Sequence, residues 1–170
     1  MMGLENLQDL VTEQQNLKTL KIDRKSTEEI LEVINEEDQT VPIHIKREIS
    51  SIAAVVDQVV KSFEMGGRLF YVGAGTSGRI GILDASECPP TFGTPSEMVK
   101  AVIAGGETAI FKAVEGAEDS EELGATDMHS NGVRLHDVVI GITASGRAPY
   151  VIGALKEAKK LGASTVSFTC

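Results

Sequence analysis

The chain has no tryptophan, five phenylalanines and two tyrosines in 170 residues, so it offers no evident stacking platform for bases or sugar rings. Its two cysteines, Cys88 and Cys170, form neither a CxxC pair nor a metal-ligand spacing. That argues against a disulfide framework and fits a reducing compartment. The three histidines, His44, His129 and His136, show no HxxxH or HxH pattern, so no metal centre is expected. No run of 18 apolar residues occurs, and MMGLENLQDLVTEQQN has no apolar core of the signal-peptide kind. A cytoplasmic protein without a membrane span is the resulting expectation. Basic residues number 16 against 25 acidic ones, a formal charge of −9. This opposes nonspecific nucleic-acid binding, and any anionic substrate must be held by local donors rather than steered by the global field.

What remains is an ordinary globular composition, 42% apolar and 24% charged, with neither repeats nor low-complexity stretches. The length suits one domain burying about 70% of the unfolded chain's surface. Leu4, Leu7, Leu10 and Val11 suggest a helical stripe in a polar N-terminal region. Ser26 and Glu29 form a capping-box pattern opening a helix that ends near Asn35, with Glu36-Glu37-Asp38 read as a solvated acidic turn. Val41-Pro42 opens a longer helix, predicted to run unbroken to about Met65, where Gly66-Gly67 stops it. Its apolar face recurs at Ile45, Ile49, Ile52, Val55, Val56, Val59, Val60 and Phe63.

Beyond residue 65 the pattern alternates. Strands are predicted at 68–72, 99–104, 137–142 and 164–169, and helices after Gly78, at 107–114, 120–128 and 149–161. Such alternation predicts an α/β fold with a central parallel sheet covered by helices on both faces. Ligands then collect outside the carboxyl ends of the strands. Residues 1–65 are expected to form a helical segment that packs on the core or on a partner subunit, and residues 66–170 the ligand-binding domain.

The first strand runs into Gly73-Ala74-Gly75-Thr76-Ser77-Gly78. Three glycines permit positive φ and keep Cβ atoms away from an anion, while the following helix start aims N–H groups into the turn. Gly75, Thr76, Ser77 and Gly78 are therefore candidate phosphate ligands, with Arg79 a candidate charge partner. The GxGxxG spacing also matches the dinucleotide fingerprint, but no acidic residue follows about 20 positions later. Hydroxyls inside the loop suit a phosphate monoester. A sugar-phosphate site, a nucleotide site and a purely structural turn stay open at this point. The third strand ends in a similar turn, Thr143-Ala144-Ser145-Gly146-Arg147, which adds Thr143, Ser145, Gly146 and Arg147 as candidates. Pro89-Pro90 is expected to break the helix and fix a loop carrying Asp84, Ser86 and Glu87, and Glu118 lies in the acidic stretch EGAEDSEE. Two carboxylates near a phosphate turn suit paired acid and base work if burial separates their pKa values; each is otherwise a solvated surface group.

The segments GAGTSGRIGILDASECPPTFG, IAGGETAI, AVEGAEDS and GITASGRAPYVIGAL closely resemble the N-acetylmuramic acid 6-phosphate etherase family. That family has the sugar isomerase (SIS) fold and is related to the glucokinase regulatory protein. The resemblance implies a three-layer αβα sandwich and a cytoplasmic, cofactor-free lyase of cell-wall amino-sugar recycling. It implies Glu87 as the acid that protonates the departing lactate ether and Glu118 as the base at C2. Phosphate and sugar contacts fall on the two turns and on Ser86. It also implies a homodimer with sites near the interface, and a chain whose downstream half of the sheet is absent here. Ala148 stands where the family commonly has threonine. A non-catalytic sugar-phosphate sensor on the same fold is the rival expectation.

Overall fold

The computed structural model describes residue 12 and residues 14–170; the expected stripe at Leu4 to Val11 lies outside them. By packing, the chain divides into the residues up to Val55 and a second unit, Val56–Cys170.

In the first unit, α1 (Thr27–Asp38) begins as expected: Ser26 Oγ accepts from Glu29 N at 3.3 Å, and Glu29 Oε2 accepts from Ser26 N at 2.7 Å. The acidic triplet is the last turn of this helix, not a free turn. Glu37 accepts hydrogen bonds from Asn16 Nδ2 at 2.7 Å and Lys18 Nζ at 2.5 Å, fastening a 3-10 turn at Leu17–Thr19. The expected long helix is two, α2 (Val41–Arg47) and α3 (Ile49–Glu64). Glu48 leaves helical geometry (φ −98°, ψ 4°). Its carbonyl starts the next helix by accepting from Ile52 N at 2.9 Å, and its carboxylate accepts from Ser51 Oγ at 3.3 Å. Local side-chain bonding of this kind competes with helix continuation, and periodicity does not register it.

The second unit is the α/β part. Strands β1 (Leu69–Gly73), β2 (Val99–Ile103), β3 (Val138–Ile142) and β4 (Ser164–Phe168) form one parallel sheet in the order β2-β1-β3-β4. Each lies within about one residue of its sequence-predicted span. Between them run α4 (Gly75–Phe92), α5 (Thr108–Phe111), α6 (Glu121–Ser130) and α7 (Pro149–Lys160). Side chains alternate across the sheet. Phe70, Val72, Val102 and Val139 pack with Met128, Tyr150, Val151 and Ala154 beneath α6 and α7. Leu69, Val99 and Val138 pack with Val59, Phe63, Ala85 and Cys88 beneath α3 and α4. The result is the three-layer αβα sandwich expected from the alternating pattern.

Glycines set how closely the layers approach. A Cβ on Gly124 of α6 would lie 2.0 Å from Tyr150 O, and one on Gly153 of α7 would lie 2.0 Å from Glu121 O. The two helices therefore meet backbone against backbone.

The first residues of β1 and β3 are pinned by a buried carboxylate. Asp137 is fully buried. Its Oδ1 accepts from Arg68 N at 2.9 Å and Arg68 Nε at 3.2 Å; its Oδ2 accepts from Arg68 Nη2 at 2.7 Å and Arg134 N at 3.0 Å. His136, alone among the described non-glycine residues in having positive φ (76°), turns its carbonyl to accept from Ser62 Oγ at 2.6 Å. Removing one member of a buried ion pair leaves the other unpaired in low dielectric, at about 3–5 kcal/mol. Asp137→Ala should therefore lower unfolding stability by about that amount in urea titration. A loss under about 1 kcal/mol, the scale of an exposed pair, would show that this pair does not pin the strands.

Candidate functional site

In the order β2-β1-β3-β4 the chain leaves β1 toward one side of the sheet and β3 toward the other. The boundary between β1 and β3 is thus the topological switch point, where open α/β sheets form a crevice. Register places Gly73, the last residue of β1, level with Ile142, the last of β3. Both polar glycine turns consequently leave the sheet side by side.

The first turn is tighter than its sequence suggests. Helix α4 starts at Gly75 (φ 53°), so Thr76 and Ser77 occupy its first turn rather than a preceding loop. Gly73 and Gly78 interlock: a Cβ on Gly73 would lie 2.6 Å from Gly78 N, and one on Gly78 would lie 2.6 Å from Ile103 Cγ1. The N-cap is Ala74, which has no side chain to satisfy the first N–H groups. The second turn repeats this. Gly146 takes φ 68°, Ser145 Oγ accepts from Arg147 N at 3.3 Å, and α7 begins behind another alanine N-cap, Ala148, with Pro149 at its first position. Elsewhere, α1 and α6 carry serine caps at Ser26 and Ser120, while α2 and α5 also lack a side-chain cap. At neither helix start does the N-cap side chain take up an N–H, the condition for holding an anion, although at α7 Pro149 itself has no N–H to give.

Thr76, Gly75, Ser145, Gly146 and Arg147 are exposed; Ser77 and Arg79 are half-buried; Gly78 and Thr143 are buried. Arg79 reaches sideways, with Nε donating to Ile110 O at 2.9 Å and Nη2 to Lys112 O at 3.4 Å. Thr143 is tied by its N–H to Phe168 O at 3.1 Å, which links the second turn to the end of β4.

The two carboxylates sit differently. Pro89 and Pro90 lie inside α4, which continues to Phe92 and stops at left-handed Gly93 (φ 67°), whose N–H donates to Pro89 O at 2.9 Å. The expected break is therefore absent: proline's φ is helical, and what the pair removes is two N–H donors. Asp84, Ser86 and Glu87 are helical residues. Glu87 stands roughly 18 Å along α4 from Gly75, at about 1.5 Å per residue. It shares one ridge of that helix with Thr76, Ile80 and Leu83 (spacing of three and four), and all four are exposed. Ser86 donates to Leu83 O at 2.9 Å and faces a groove beside β2 lined also by Ile82, Val99 and Lys100. Glu118 is exposed in a 3-10 turn, Ala117–Asp119, that follows left-handed Gly116 (φ 73°). The structure thus brings the two turns together and leaves Glu87 far down its helix from them. Among the described residues, no cluster of His, Cys, Asp and Glu is arranged to hold a metal, and no helix is long and apolar enough to cross a membrane.

Residues 51–159 match the family described as the glucokinase regulatory protein N-terminal SIS domain. The chain belongs to that family. Within it, the SIS chain is 57% identical over 164 residues to N-acetylmuramic acid 6-phosphate etherase of Geobacillus sp. (strain WCH70), covering 96% of itself and 56% of that protein. The proteins of the same name from Bacillus cereus (strain B4264) and Clostridioides difficile (strain 630) are 58% and 55% identical, over 96% and 99% of this chain and 56% and 55% of theirs. The chain thus spans about half the length of these curated relatives. Phosphoheptose isomerase GmhA from Neisseria gonorrhoeae superposes with a TM-score of 0.64 at 19% identity, over 84% of this chain and 73% of that one, a likeness of fold.

One polar pair beside the site was not singled out from the sequence. Tyr71, in the otherwise apolar β1, has its hydroxyl held above the ordinary range by burial and then by its hydrogen bond to Asp84 on α4. A tyrosine within a buried strand is the signal, since its hydroxyl needs a partner. Burial, and next the charge of Asp84, also raise the Cys88 thiol. Little thiolate then forms near neutrality, against a nucleophilic role. Iodoacetamide at neutral pH should label exposed Cys170 well before Cys88, and Asp84→Asn should speed labelling at Cys88 by removing the charge that opposes thiolate. Equal rates at both cysteines in the parent chain would contradict this.

Proposed function

We propose that this SIS domain is the substrate-binding part of a carbon–oxygen lyase that cleaves the D-lactyl ether of N-acetylmuramic acid 6-phosphate. The products are N-acetylglucosamine 6-phosphate and D-lactate, as in cytoplasmic amino-sugar recycling. The observation that carries the reading is the pair of uncapped helix starts, at Ala74 and Ala148, flanking the switch point between β1 and β3. The 55–58% identity to proteins named for that etherase supports it.

In this reading the 6-phosphate sits against the N–H groups and hydroxyls of Gly75 to Gly78, with Thr143, Ser145, Gly146 and Arg147 completing the cradle. Phosphate binding orients the reacting carbons. In the open-chain sugar the C2 proton is α to the aldehyde, and Glu118 removes it as base. The C3–O bond then breaks as Glu87 delivers a proton to the leaving lactate oxygen. Water adds to the resulting unsaturated aldehyde at C3, with Glu87 now taking the proton from water and protonated Glu118 returning its proton to C2, which restores both carboxyl groups to their starting states.

A hexose phosphate held at the start of α4 does not reach Glu87 at the far end of the same helix. The proposed enzyme is therefore a homodimer in which each site takes Glu87 from the second copy. Ile80 and Leu83, 53% and 65% exposed beside Glu87, give that ridge of α4 an apolar surface suited to a partner. Along α3, Ile49, Ile52, Val56 and Val60 are likewise left exposed.

Release of D-lactate from the sugar phosphate tests the assignment. Glu87→Gln and Glu118→Gln should each lower the rate by at least about a hundredfold, the scale of lost acid or base catalysis, while binding of the sugar phosphate survives. Mixing the two variants should restore about a quarter of parental activity if a two-fold dimer shares its sites. Undiminished release in both single variants would discard the assignment. Binding without any lactate release by the parent chain would favour the sugar-phosphate sensor, the reading favoured by the match to a regulatory protein's SIS domain.

A further inference from the structure

We infer that Arg79 is a positioning residue that ties the phosphate turn to the segment carrying Glu118; this rests on the roles proposed above for that turn and for Glu118. Arg79 follows Gly78 directly, one residue beyond the turn that would hold the phosphate. Its side chain is half-buried, and its guanidinium spans the end of α5, donating to Ile110 O at 2.9 Å and to Lys112 O at 3.4 Å. Helix α5 has only four residues, so its last carbonyls have little intrahelical bonding to rely on. A planar guanidinium bridges two such carbonyls, and no other cationic side chain matches that fork.

From Lys112 the chain reaches Glu118 in six residues, through Gly116 in the left-handed region. Lys112 to Glu115 are exposed, and of their side chains only Val114 is seen to pack, against Gly105 just after β2. At the far end, Ala117 packs against the cluster containing Tyr150 and Val151 at the start of α7. Glu118 is thus placed by Ala117 against α7, by Val114 against Gly105 after β2, and by Arg79 against α4. Arg79 is the contact that refers Glu118 to the phosphate turn itself. A guanidinium so engaged serves the reaction by fixing the distance from phosphate to base, and the phosphate is left to the N–H groups and hydroxyls of the two turns.

The test is kinetic and structural, on the full chain. Arg79→Ala should lower kcat for D-lactate release by about a hundredfold, the cost of misplacing a catalytic group by about 1 Å, with KM changed less than about threefold. Arg79→Lys, able to bond one carbonyl at a time, should recover part of the rate. In a Glu118→Gln background the same Arg79→Ala change should have almost no further effect, since two residues acting through one function are non-additive. A large rise in KM at unchanged kcat would instead make Arg79 a phosphate ligand. A full hundredfold loss persisting in the Glu118→Gln background would make its role general and structural. Either result overturns the inference while leaving the etherase reading intact, which fails separately if Glu87→Gln and Glu118→Gln both release lactate undiminished. Amide hydrogen exchange decides the matter if the chain releases no lactate. Arg79→Ala should raise exchange across residues 112–119 and leave β1 and β3 unchanged, and equal exchange in that segment would sink the inference.

Discussion

The fully buried Asp137 carboxylate holds the sheet in the register on which the site depends. Four N–H donors from Arg68 and Arg134 meet its two oxygens, so that charge burial is offset by hydrogen bonding at both atoms. The backbone on either side extends the same clamp: Val138 N donates to Arg68 O at 2.8 Å, and Ser164 N to Asp137 O at 2.9 Å. Three parallel strands are therefore aligned at their amino ends by one residue. Because the strands are five residues each, that alignment carries through to their carboxyl ends. A slip of one residue would turn every side chain to the opposite face and separate the two glycine turns.

At those carboxyl ends the chain withholds side chains rather than supplying them. Alanine at both N-caps and glycine where strand meets helix leave backbone donors facing the crevice. In a protein of net charge −9, such fixed local dipoles, together with Arg147, are what the proposed site would offer a phosphate. The same economy of side chains appears beneath the sheet, where Gly124 and Gly153 let α6 and α7 touch through their backbones. Close layers leave little room for adjustment, which suits a site defined by strand ends.

Much of this was legible from residue pattern. The apolar runs at 69–73 and 138–142 are largely buried in the middle of the sheet and so read as continuous strands, and the edge strand at 99–103 reads likewise despite its one charge at Lys100. Both glycine turns and the Ser26 capping box are local chemistry, complete within a few neighbouring residues. The misreadings have separate causes. Pro89-Pro90 suggested a break, yet Gly93 ends the helix, because the rest of α4 is held against Tyr71 and Ala85's neighbours in the sheet layer. Glu48 interrupts a strongly periodic helix through its own hydrogen bonds. Glu37 looked solvated, but its partners Asn16 and Lys18 lie 21 and 19 residues away.

By itself, then, the amino-acid order determined the alternation of strands and helices and the two polar glycine turns at strand ends, all properties of short-range sterics and hydrogen bonding. Only tertiary structure decided which strand ends are neighbours, that Arg79 grips the chain leading to Glu118, and that Glu87 lies far along a continuous helix from its own turn. Those relations join residues tens of positions apart, and packing between layers, not local preference, supplies the energy that fixes them.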